Sequence, residues 1–150
     1  MRRLAAIAAS ALLLAACGST HAAPAKQRSD VRVTVTGLLR DLAAGNGAAV
    51  CARLTTAGRS SLIKAVGPEL SNFGITSCEQ VVHITGMQLS AQLRSELRHA
   101  AVGVVAVHGS RATVRWADVT SPQGDLGAFF GHPPALQLVA ANGAWLVSSL

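Results

Sequence analysis

The chain has 150 residues, 50% of them hydrophobic, with 13 Lys+Arg against 7 Asp+Glu and a formal net charge of +6. That length fits one ordinary domain; a fibrous chain would show a short repeat and a disordered one would be poor in Val, Leu and Ile, and neither is seen. A mean hydropathy of +0.39 raises the question of a membrane protein, which the first residues address.

Met1-Arg2-Arg3 precedes an apolar run, LAAIAASALLLAA at 4–16, and then Cys17. Two arginines, an apolar stretch and small residues at its end form the pattern of a secretory signal peptide. A hydrocarbon core of ~30 Å needs about 20 apolar residues, more than this run supplies. No later segment is both that long and that apolar, so no membrane-spanning helix is expected.

Leu14-Ala15-Ala16-Cys17, followed by Gly18, resembles the lipobox of bacterial lipoproteins. The resemblance implies a diacylglyceryl group on the Cys17 sulfur and cleavage that leaves Cys17 as the new N-terminus. The alternative is an ordinary signal peptide cut near His21-Ala22-Ala23. Two or more acyl chains, of the palmitate kind, would hold the protein durably on a bilayer where one would not. The expected organisation is a signal peptide at 1–16, a lipid-anchored flexible tether at 17–29 and a single domain at 30–150. The tether (CGSTHAAPAKQRS) is small, polar and Pro-containing. Its expected place is the extracytoplasmic face of the cell membrane, with the membrane as a partner through the N-terminal lipid.

With Cys17 assigned to lipid, Cys51 and Cys78 remain as a pair in an oxidising compartment. A bridge between them would contribute roughly 3–4 kcal/mol by constraining the unfolded chain. The competing reading is two separate buried thiols. A Cys-x-x-Cys redox motif is absent, so the pair reads as structural.

Along the domain, Val31, Val35, Leu38, Leu39 and Leu42 follow a helical stripe. Ser29 or Asp30 is placed to cap it and Gly45-Asn46-Gly47 to stop it, although VRVTV and Gly37 argue for a strand. A second short helix is expected over 48–54 with Cys51, and a third over 60–65. Gly67-Pro68 and Ser71-Asn72 read as breaks. Residues 79–84 read as one or two helical turns, and Leu89, Leu93 and Leu97 mark a further helix after a Ser90 cap. From Ala101 the pattern changes to AVGVVAVH, a Gly109-Ser110 turn and RATVRWADV, which predicts a hairpin. A Pro- and Gly-rich excursion, SPQGDLGAFFGHPP, follows. ALQLVA, Asn142-Gly143 and AWLVSS predict a second hairpin, Asn-Gly being the strongest short turn signal. Helices first and an antiparallel meander last make an α+β domain.

The pieces DLAAGNGAAVCARL (41–54), SCEQVV (77–82), VAVHGSRATV (105–114) and NGAWLV (142–147) resemble small secreted lipoproteins of high-GC actinobacteria. These are similar to the nuclear transport factor 2-like (cystatin-like) superfamily. The resemblance implies N-terminal helices packed on a curled antiparallel sheet, a cone that can hold a pocket. It supports fold far more than function.

Enzymes of that superfamily, of the ketosteroid isomerase and polyketide cyclase kinds, set a carboxylate or His in the cone beside a donor such as Tyr. This chain has no tyrosine. Asp118 is the best carboxylate candidate, because strand alternation would put Val114, Trp116 and Asp118 on one face. The bland alternative is a solvated Asp118 at the strand end. Without a recognisable partner it is a weak acid–base signal. Expected lining of a pocket is Val104, Trp116, Asp118, Phe129, Phe130, Leu138 and Trp145, although the aromatics serve equally as plain core.

No catalytic residue is assigned with more support than this, and no cofactor is implied. His21, His83, His99, His108 and His132 show no metal-ligand spacing, so no metal site is expected. A Ser-containing elbow and a phosphate-cradling glycine loop are absent as well. Arg94 and Arg98 share a helical face and Arg111 and Arg115 a strand face, patterns typical of solvated surfaces. With few aromatics to stack bases, no nucleic-acid partner is expected. The positive charge suits weak attraction to anionic envelope lipids or polymers. The reading is a non-catalytic lipoprotein domain that binds a small apolar ligand or an envelope protein. An isomerase- or cyclase-like enzyme using Asp118 is the alternative.

Overall fold

A computed structural model describes residues 24–70, 74–126 and 134–150, with side chains described throughout these except at 66–70 and 125. Among the described residues five helices precede seven strands, an α+β arrangement with antiparallel pairing between strands. No helix among them is long and apolar enough to cross a membrane.

The first helix, α1 (Ala25–Ala43), buries Val31, Val35, Leu38, Leu39 and Ala43. The 3.6-residue stripe therefore prevails over the β-branched VRVTV, because burial of a whole face outweighs the small propensity cost of valine. Gly37 has a packing reason. A β-carbon there would meet the Arg53 guanidinium at 2.7 Å, and that guanidinium reaches Asp41 through Nε at 2.9 Å. The helix starts at Ala25, earlier than the sequence pattern implies, and so takes in 25–29. Pro24 flanks the start without a side-chain cap, and Asp30 pairs with Lys26 one turn back at 2.8 Å instead of capping. Alanine, lysine, glutamine and arginine are good helix formers with no breaker among them, which explains the extra turn.

The next four helices each carry a side-chain cap. In α2 (Gly47–Ala52) Asn46 Oδ1 accepts the Ala49 N–H at 3.2 Å, and in α3 (Thr56–Leu70) Thr55 Oγ1 accepts the Gly58 N–H at 3.0 Å. The third helix is much longer than 60–65 and carries through Gly67-Pro68. Pro68 lies in its last turn, where a missing N–H costs one hydrogen bond and does not end the helix. In α4 (Cys78–Gln88) Ser77 and Gln80 form a reciprocal capping box, and α5 (Ala91–Arg98) has the expected Ser90 cap on Leu93 N–H at 3.1 Å.

Cys51 and Cys78 are joined by a disulfide with Cα atoms 6.1 Å apart, closing a separation of 27 residues. The bridge ties α2 to the first residue of α4. Glycines make the approach feasible: a β-carbon on Gly47 would lie 2.5 Å from Glu79 O, and one on Gly86 would lie 2.6 Å from Gly45 Cα. No side chain fits at either end of this contact.

The strands divide between two sheets. A small one has the order β1 (Ala101–Val102), β4 (Val119–Ser121), β5 (Gly124–Asp125). The larger has the order β2 (Ala106–His108), β3 (Arg111–Arg115), β6 (Ala135–Ala141), β7 (Ala144–Ser149). AVGVVAVH is thus not one strand. It breaks at 103–105, where Arg32 of α1 donates to Gly103 O from Nε at 3.1 Å and Nη2 at 2.8 Å. The expected second strand also ends early, because Trp116–Asp118 forms a 3₁₀ turn. The Asn142-Gly143 hairpin is as expected, with φ of 51° and 78° giving a type I′ turn.

The outer edge of β7 is covered by the α2–α3 junction. Val147 N–H donates to Arg53 O at 2.8 Å and Thr55 N–H to Val147 O at 2.9 Å, which removes an open edge. Gly58 permits this, since a β-carbon there would sit 2.5 Å from Val147 O. Val107, Ala112, Val114, Leu136, Leu138 and Val147 join the α1 stripe in one continuous core.

Candidate functional site

An apolar concavity among the described residues lies in the helical layer and not within the sheet. It is an apolar cavity of about 210 Å³ bounded by four helices, Trp116 and Leu150. Buried Leu38 and Leu39 of α1, Val50 of α2, and Val81 and Val82 of α4 form its floor with Trp116. Half-buried Leu42, Leu62, Thr85 and Leu150, together with the exposed Ala65, form its rim. Thr85 supplies a hydroxyl, and the rest of the described lining is hydrocarbon apart from the Trp116 indole. A lining of this kind recognises size and shape, and it favours an apolar guest through release of water.

The positions follow from the folding of each element. Val50 and Val82 stand close in sequence to Cys51 and Cys78, so the disulfide fixes the spacing of those two walls. Leu62 and Ala65 lie three apart on one face of α3, and Val81, Val82 and Thr85 share a face of α4.

The residues expected to line a sheet cone are dispersed. Trp116 lines the helical cavity, but Leu138 and Trp145 are packed in the core, and Val104 is 61% exposed. Cys17, Phe129 and Phe130 lie outside the described residues. Asp118 is absent from the cavity lining. The 3₁₀ turn ends the alternation that would have set it beside Trp116.

Asp118 instead accepts two hydrogen bonds from Arg115, from Nε at 2.7 Å and from Nη2 at 3.1 Å. These bonds hold the Asp118 carboxyl below its ordinary range. Partial desolvation opposes them, and the guanidinium charge adds to the lowering. The same hydrogen bonds and charge raise Arg115, with desolvation opposing. A carboxylate lowered in this way is a weaker base, the reverse of the adjustment that general-base work requires.

Among the described residues no group of three or more His, Cys, Asp and Glu side chains is placed to hold a metal ion. His99 Nδ1 contacts Ser95 O at 2.8 Å, and His83 lies in a shallow cleft with Arg94 and Arg98. Arg94 donates from Nη2 to Met87 O at 3.2 Å and so covers the end of α4, a structural use of its charge.

Sequence reasoning missed the rim residues Leu42, Leu62, Ala65, Thr85 and Leu150. The apolar spacing of Leu62 and Ala65 in α3 was an available signal, and Thr85 lay one residue past the helix expected over 79–84. It also missed Glu96, which is buried at 5% exposure. Comparisons of the chain with protein-family models, with curated proteins and with solved structures find no match.

The Arg115–Asp118 pair has a pH signature. A carboxyl lowered on folding contributes stability that is present above its unfolded pKa and is lost as pH falls through its folded pKa. Arg115→Gln is expected to return the Asp118 carboxyl upward toward its ordinary range, read by carboxyl-carbon NMR titration. An unchanged midpoint would contradict the assigned cause.

Proposed function

We propose that this protein is a lipid-anchored extracytoplasmic domain that holds a small apolar ligand between its helices. The observation that carries the reading is the hydrocarbon-lined cavity of about 210 Å³ with a half-buried rim. Burial of apolar surface contributes about 25 cal/mol per Å², so a short acyl chain or similar hydrocarbon gains enough to bind without polar anchoring. The anchor rests on Leu14-Ala15-Ala16-Cys17 after an apolar run, and the placement on the extracytoplasmic face follows from it. The disulfide between Cys51 and Cys78 supports an oxidising compartment.

A finer placement, with the nuclear transport factor 2-like domains, is supported by the order of helices followed by antiparallel hairpins. In this protein the ligand would sit in the helical layer rather than in the mouth of a sheet cone. The isomerase or cyclase reading finds no support at Asp118, whose carboxylate is engaged by Arg115 away from the cavity.

Ala65→Trp should fill the rim without disturbing buried packing. Binding of the neutral dye N-phenyl-1-naphthylamine, and its displacement by decanoate, should be lost while the thermal midpoint is kept. Dye binding equal to that of the unaltered protein would count against the cavity as the ligand site. For the anchor, Cys17→Ala should move the protein from the membrane pellet to the soluble fraction on cell fractionation. Unchanged partitioning would refute lipidation.

A further inference from the structure

A second cavity, of about 240 Å³, shares no lining residue with the apolar one and differs in character. Ser90, Gln92, Leu93 and Glu96 of the α5 region face Ser121, Gln123 and Leu126 across it. Its dominant feature is Glu96, an acidic side chain that is 5% exposed. One carboxylate oxygen, Oε2, accepts the Gln123 N–H at 3.1 Å. Among the described residues no hydrogen bond reaches Oε1, and the ion pairs engage Asp30, Asp41 and Asp118 instead.

Oε1 is not among the fully buried unpartnered atoms, so it opens onto the cavity, where it can accept from a donor on a guest. Support of the β4–β5 turn does not account for the choice of residue. A glutamine at this position would accept the Gln123 N–H equally well. The surroundings supply further recognition. Gln92 Nε2 donates to Gln123 Oε1, leaving Gln92 Oε1 as an acceptor and Gln123 Nε2 as a donor at the same cavity. Ser121 Oγ donates to Gly124 O, and Ser90 Oγ accepts the Leu93 N–H as the α5 cap, with no bond from its hydroxyl to Glu96 among the described residues.

We propose that this cavity is a binding site for a small primary ammonium compound that also carries a hydroxyl group. The ammonium donates to Glu96 Oε1 and Gln92 Oε1, and the hydroxyl oxygen accepts from Gln123 Nε2. Leu93 and Leu126 form apolar walls against the carbon skeleton. The volume suits a guest smaller than the 300–1,000 Å³ of typical drug-sized pockets. The site is separate from the apolar cavity, so its fate does not depend on the reading given above.

The test is an NMR titration of the full chain with ethanolamine, using ethylene glycol as the uncharged counterpart. Ethanolamine should produce saturable shifts at the Gln123 and Leu93 backbone amides, and ethylene glycol should not. Glu96→Gln keeps the shape and the acceptor for Gln123, and should weaken ethanolamine binding about ten- to a hundredfold. Gln92→Ala, at an exposed position, should weaken it several-fold with an unchanged thermal midpoint. Absence of saturable shifts at these amides, or equal response to ethylene glycol, overturns the proposal. So does full affinity in Glu96→Gln. Should that variant fail to fold, full affinity in Gln92→Ala overturns it instead.

Discussion

The contact between α2 and α4 is the constraint on which the helical layer depends. The Cys51–Cys78 disulfide joins them covalently, and the glycines at 45, 47 and 86 let their backbones touch on either side of it. Closing a 27-residue separation contributes roughly 3–4 kcal/mol. A domain of this size has a net stability of about 5–15 kcal/mol, so one bond supplies a large share of it. The intervening helix α3 is thereby held as a loop between two fixed points. The apolar cavity is bounded by this helix together with α1, α2 and α4.

The sheet supplies the other boundary. Its last strand is bonded to the α2–α3 junction through Arg53, Thr55 and Val147, and it ends beside Leu150 at the cavity rim. Bulk in the core beneath comes from aliphatic side chains of α1, β3, β6 and β7. Of the large residues expected to form a ligand pocket in the sheet, Leu138 and Trp145 are spent on this core. A chain with two Trp, three Phe and no Tyr has few large side chains to spare. The helices, rich in Leu, Val and Ala, leave the unfilled volume.

The sequence carried much of this architecture in its periodicities. The α1 stripe, the Ser90 cap, the Asn142-Gly143 turn and the cysteine pair are all local or nearly local features, and each was legible. Lengths were less so, because a helix end depends on neighbours: α3 passes Pro68 and α4 continues through Gly86. Gly86 lies against Gly45, a contact remote in the chain. The alternation through Val114, Trp116 and Asp118 failed for a similar reason. Arg115 folds back on Asp118 at close range, and a 3₁₀ turn replaces the strand. Glu96 gave no signal at all, since an acid in an amphipathic helix ordinarily reads as solvated. Its burial arises from the β4–β5 turn, remote in the chain.

The central claim is that the bridged α2–α4 pair keeps an apolar cavity formed for a ligand. Its most direct test is the affinity of the full chain for N-phenyl-1-naphthylamine before and after reduction, with thiol labelling to verify that Cys51 and Cys78 are open. The comparison is made where far-UV circular dichroism shows the strands intact. The account predicts that dye binding is lost on reduction and returns on reoxidation. Equal affinity in the reduced, labelled protein would contradict it.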